Sequence, residues 1–271
     1  MSDRERLARV QSDLRRGVRG VLYCEGKTDP AVLFALLGRA RPAGDLLGDC
    51  YVVGLKEGSS GGAEVEALVR VARANGLSTV WGVCDGDGRA LSALRAEFDA
   101  PFPGPVFRWR GYCIENLLAQ AAWPSAWGAA PDWEVALLGY APYAALNRVH
   151  VELRAALETL GLHKFRNPQA GKALETQASM LAALAADKHR VAGYDVARRF
   201  EGECQLVCDA IRASVEEGHA TINGKWLLRH FCNTTNQPEE GRRAAWCEAA
   251  RAAGGLPAVK AWWERLMGAS P

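Results

Sequence analysis

No apolar run in the 271 residues reaches the roughly 18 that a membrane-spanning helix requires, which excludes that class. The first ten residues, MSDRERLARV, lack the apolar core of a secretory signal and are instead charged and amphipathic. None of the eight cysteines forms a C-x-x-C pair, so a zinc ribbon is not expected. There is no G-x-x-x-x-G-K-[ST] loop, so any ATPase is expected on a separate chain. Internal repeats and low-complexity tracts are also missing. An excess of one charge sign is missing too, with 33 Lys and Arg against 31 Asp and Glu. A net charge of +2 excludes a polybasic coat and leaves room for a local basic groove.

Apolar residues make up 49% of the chain and charged residues 24%, a balance that expects a packed core. Cys24, Cys50, Cys84 and Cys113 sit in or beside apolar runs, where a reduced thiol is a small core residue. These features predict a cytoplasmic protein with reduced thiols.

Residues 18–25 (VRGVLYCE) read as a strand. A helix is predicted over 29–38, with Thr28 or Asp29 as its cap, Pro30 in its first turn and Gly38 at its exit. CYVVGL (50–55) is a second strand, followed by a glycine-rich turn and a helix ending at Asn75-Gly76. STVWGVCDGDGR holds a third strand, ALSALRAEF a helix, PVFRWRG a fourth strand, and CIENLLAQAAW opens another helix. Strands that are nearly continuous apolar runs fit a parallel sheet buried on both faces. The expected fold is α/β, a mostly parallel four-stranded Rossmann-like sheet over residues 1–125. A mainly helical domain is expected over 126–271, where only helical periodicity continues. The aromatics of WRGY and AWWERL read as core or interface residues, and a partner is expected to dock on exposed ones in the helical half.

In an open parallel sheet, ligands sit beyond the carboxyl ends of the strands. Glu25 ends the first strand there, and Asp85 and Asp87 end the third. Glu115 follows the fourth and is expected to reach the same edge. Clustered carboxylates repel unless they share a proton or bind a cation, and Mg²⁺ favours a few carboxylates plus waters. By that repulsion, removing one acid is expected to leave stability unchanged or raised. Each acid also has a plain structural reading. DGDG is good turn chemistry, Asp29 is a helix cap, and Glu115 is a first-turn acid favoured by the helix dipole. His163 and His189 lie beside basic residues at expected helix ends.

E-G-K-x-D after the first strand and D-x-D after the third resemble the TOPRIM domain of topoisomerases, primases and OLD-type nucleases, over roughly residues 18–122. GYCIENLLA and NGKWLL are similar to segments of small stand-alone OLD-like members, of the kind found in the PARIS phage-defence system. The resemblance implies Mg²⁺ (or Mn²⁺) at Glu25, Asp85, Asp87 and Glu115, with Glu25 as general acid/base or metal ligand. It further implies that Lys27 contacts a phosphate and that Arg89 or Lys225 offsets transition-state charge. The implied activity is hydrolysis of phosphodiesters in DNA, RNA or tRNA. The implied setting is a toxic anti-phage effector working with an ABC-type ATPase, with a homodimer compatible. No zinc module of a primase and no topoisomerase-type nucleophilic Tyr accompanies the motifs. A non-catalytic TOPRIM module that binds a partner, and a housekeeping RNA-processing nuclease, are the alternatives.

Overall fold

The computed structural model describes residues 1–55, 61–86, 104–109, 113–126, 133–142, 144–145, 148–149, 193–214, 218, 221–222, 224–225 and 239–268. The chain divides into two compact units, Met1–Ala130 joined by Leu227–Pro271, and Pro131–Trp226.

The first unit opens with α1 (Asp3–Leu14), whose N-terminus is closed by a capping box between Ser2 and Glu5. Then come β1 (Gly20–Cys24), α2 (Asp29–Leu36), β2 (Leu46–Leu47), β3 (Cys50–Gly54), α3 (Gly62–Ala74), β4 (Val80–Cys84), β5 (Val106–Arg108) and α4 (Ile114–Ala126). The sheet order is β2-β3-β1-β4-β5. The expected four parallel strands are present, and β2 adds an antiparallel edge against Cys50 and Tyr51. A two-residue strand has no period for a sequence to display.

Every residue of β1 and β4 is buried, which accounts for their unbroken apolar runs. Their side chains alternate between two cores. Val21 and Tyr23 face the layer formed with α1 and α3, beside Val65, Leu68 and Val69. Leu22, Cys24 and Val83 face the opposite layer with Phe34, Trp109 and Trp262. Burying one such Leu or Val contributes about 1.5–3 kcal/mol. At Gly82 the side chains of α3 pack so close that a Cβ would meet Val65 Cγ1 at 2.4 Å, so this strand position admits only glycine without a shift.

The unit is completed from the far end of the chain. α7 (Glu239–Ala252) packs on α4 and α2, and α8 (Pro257–Gly268) places Trp262 5.4 Å from Trp109 and 6.0 Å from Phe107, ring to ring. This corrects the boundary expected at residue 125, because the last two helices share the sheet's core. Of the aromatics in WRGY and AWWERL, Tyr112 lies outside the described residues. Trp109, Trp262 and Trp263 are all buried and are not available as an exposed docking face.

In the second unit, α5 (Trp133–Leu138) packs with α6 (Val196–Ala213). Asp195 caps α6 by accepting a bond from the Arg198 amide, and Val196, Phe200, Val207 and Ile211 form its buried stripe. Glu203, also buried, pairs with Arg148 at 3.2 Å and Arg199 at 3.5 Å. His163 and His189 lie outside the described residues.

Candidate functional site

β3 and β4 flank β1 on opposite sides, so the chain's winding direction reverses at the β1–β4 pair. That is the topological switch point, where ligands collect in sheets of this kind. Register pairs Cys24 with Val83, so Glu25 falls opposite Cys84 and Asp85 follows one residue further along the adjacent strand.

Glu25 is half-buried, and its Oε2 accepts a bond from the Asp85 amide at 3.1 Å. Its Oε1 lies against the entry to α3. A Cβ on Gly61 would come within 2.4 Å of it, and Gly61 holds φ at 45°. The first turn of α3 therefore brings a helix N-terminus, which favours an anion, up to this carboxylate. Asp85 is buried, and its Oδ1 accepts from the Ile114 amide at 3.3 Å. It satisfies one of the open donors at the start of α4 and ties β4 to that helix. The acid thus has a structural duty as well as its place at the sheet edge. Its removal is now expected to lower stability, reversing the expectation from repulsion alone.

Asp29 turns back on the loop, where its Oδ2 accepts from the Gly26 amide at 2.8 Å and fixes the Glu25-Gly26-Lys27 turn. Thr28 occupies the cap position of α2 without making a side-chain cap bond. Lys27 is exposed at the mouth of a cavity beside α2.

Glu115 sits on α4 as expected, but its partner is a cation of the chain itself. Its buried Oε1 accepts from Arg243 Nη2 at 3.0 Å. Arg243 Nη1 also donates to Thr28 Oγ1 at 3.2 Å, so α7 clamps the starts of α2 and α4. Asn116, buried next to it, accepts from the Cys113 amide at 2.9 Å. Arg243 is the residue that sequence reasoning missed. It lies 215 positions from Thr28 and 128 from Glu115, and no local pattern announces a contact at that range.

The thiols beneath the edge are held protonated. Burial, and then the charge of Glu25, pushes the Cys84 thiol up to about 12. Burial, and then Asp29, pushes Cys24 well above its ordinary value.

The structure brings Glu25, Asp85 and Lys27 to one side of the first unit. Asp87 and Arg89 lie outside the described residues. Lys225 is exposed and belongs to the second unit. Among the described residues no group of three His, Cys, Asp or Glu side chains is gathered to hold a metal ion, and no helix is long and apolar enough to cross a membrane. No protein-family model, curated protein or solved structure matches the chain. The resemblance to the TOPRIM domain therefore rests on the motifs and on where their residues fall.

Proposed function

We propose that the chain is a Mg²⁺- or Mn²⁺-dependent nuclease of TOPRIM type that hydrolyses phosphodiester bonds in DNA or RNA, tRNA included. The observation that carries this reading is the junction of Glu25 and Asp85 at the switch point, where one carboxylate is hydrogen-bonded to the amide of the other residue. The donor set fits a hard cation, since both groups offer carboxylate oxygens. Glu25 and Asp85 hold the ion, with Asp87 as the expected third ligand. Glu115 is withdrawn from that set by its ion pair with Arg243. A bound divalent cation supplies charge stabilisation for the phosphodiester and activates water.

The chain's own residues divide the remaining tasks. Glu25, half-exposed and oriented by the Asp85 amide, takes the proton of the attacking water. Asp29 keeps the turn that carries it in place. Lys27, exposed two residues on, receives a phosphate. The resemblance extends the proposal to a toxic phage-defence effector governed by a separate ABC-type ATPase. Asp85's role as a cap on α4 favours a second reading, in which the edge is purely architectural and the protein is a non-catalytic module.

The deciding experiment incubates the purified chain, alone and with the ATPase of a neighbouring gene, with plasmid, single-stranded DNA and total tRNA in Mg²⁺, Mn²⁺ or EDTA. Metal-dependent cleavage is expected, with Glu25→Gln slower by at least about 100-fold and unchanged in melting temperature. Equal cleavage by Glu25→Gln, or none by the wild type under any condition, would leave the non-catalytic module.

A further inference from the structure

Beside α2 and α7 lies a cavity of about 980 Å³, on the same unit as the acidic edge. Among the described residues, Lys27, Arg39, Arg41, Arg243 and Arg251 line it, against a single acid, Glu248. Five basic residues to one acidic leaves a local surplus of four, twice the net charge of +2 carried by the whole chain. Concentrating that much like charge opposes folding by self-repulsion, and an anionic ligand relieves it. Some of the cations are partly neutralised. Arg41 grips Asp45 through two bonds, Arg251 pairs with Glu248, and Arg243 is held by Glu115. Lys27 and Arg39 are exposed and have no acidic partner among the described residues.

The lining identifies the anion. Among the described residues its uncharged part is made of small side chains, Ala31, Ala35 and Ala244 among them, and no aromatic residue contributes. Without a ring among those residues, the described lining offers bases no stacking platform. The described lining also lacks the large apolar anchors on which a protein partner's affinity depends. What it offers is guanidinium forks and an ammonium, which match phosphate oxygens. Lys27 and Thr28 line it and directly follow the Glu25 turn, so it opens beside the acidic edge.

We propose that this groove binds the sugar–phosphate backbone of a nucleic-acid strand, through its phosphates and without base selectivity, and delivers it to the Glu25–Asp85 edge. Delivery rests on the nuclease reading of that edge, whereas binding does not. Arg39 and Arg251 are the outer contacts, and Lys27 is the contact nearest the acids. DNA and RNA share the recognised group, and both are accepted.

The test measures fluorescence anisotropy of labelled oligo-dT and oligo-rU of about 20 nucleotides, in EDTA, with the full chain and with the double variant Arg39→Gln/Arg251→Gln. Both replaced residues are exposed. An unchanged melting temperature confirms that the variant is folded, and Lys27→Gln provides a second probe of the same groove. The wild type is expected to bind both oligomers, and more weakly as salt rises from about 50 to 200 mM. The double variant is expected to bind about 10-fold more weakly, with a log–log salt slope shallower by about 1.4, the value for two lost phosphate contacts on a single strand. Poly-glutamate of equal charge is expected to compete poorly. Unchanged affinity and slope in both groove variants would overturn the proposal, as would displacement by poly-glutamate as effective as by oligo-dT, or no binding by the wild type at low salt. Because no divalent cation is present, a chain that never cleaves still gives a clear result here.

Discussion

Two groups of acids within the first unit are held by different chemistry. At the β1–β4 edge, Glu25 accepts from the Asp85 amide and Asp85 accepts from the Ile114 amide. At the start of α4, Glu115 is held by the guanidinium of Arg243. An amide orients a carboxylate and leaves its full charge in place. A guanidinium orients it and cancels the charge as well. At Glu25 the amide bond leaves the carboxylate its charge, and at Glu115 the guanidinium makes a neutral joint between helices. Spacing in the sequence places all three acids at one end of the sheet. Only the partner decides which of them has charge to offer.

The largest effect is expected at the neutral joint. Arg243→Met leaves Glu115 buried and uncompensated, at a cost of about 3–5 kcal/mol. The double variant Arg243→Met/Glu115→Gln is expected to regain most of that. Urea denaturation of both reads the difference, and a single variant as stable as wild type would break the contrast.

Gly61→Ala probes the charged edge. Its backbone conformation suits glycine, and the new Cβ would crowd Glu25 Oε1. A loss of about 1–3 kcal/mol is expected. Glu25 should also be driven off the Asp85 amide, so the fall in cleavage should exceed any attributable to unfolded protein. Asp85→Ala removes an acceptor at the start of α4 and is expected to cost about 0.5–2 kcal/mol, with Asp85→Asn costing less because its amide oxygen still accepts. A rise in melting temperature for Asp85→Ala would mean that repulsion with Glu25 outweighs that bond.

The smallest effect belongs to Glu64 on α3, which Arg6 of α1 holds through hydrogen bonds down to 2.7 Å. That bonding lowers the Glu64 pKa below its ordinary value of 4.5. The pair therefore stabilises the fold above that value, and the contribution is lost as pH falls through the lowered one. Glu64→Gln should flatten the melting curve against pH on the acid side, below about 4.5, and change little at neutrality.

Much of the sheet was legible because β1, β3 and β4 are apolar on both faces, and such runs have few alternatives to a covered parallel strand. The meeting of Glu25 and Asp85 was legible too, since parallel strands bring their last residues to one side. Three things were not. The duty of Asp85 on α4 depends on how a helix docks. The partner of Glu115 lies far along the chain. That Trp262 packs on the sheet's core depends on α8 joining the sheet, whereas local periodicity assigned that helix to a separate helical half. Each is a long-range contact, and a pattern within a dozen residues carries no record of it.

The placement of α7 and α8 also bears on how the protein is made. Residues 131–226 are translated between the sheet and the helices that finish it. At about 5–20 residues per second, Arg243 leaves the ribosome roughly 6–25 s after Glu115. During that interval the nascent sheet presents Trp109 and Phe107 without the cover of Trp262. The groove also has only one of its two walls. Any capacity of this chain to act on nucleic acid through that groove is thus withheld until synthesis has passed α7. Over the same seconds that aromatic face of the unfinished chain lacks its apolar cover.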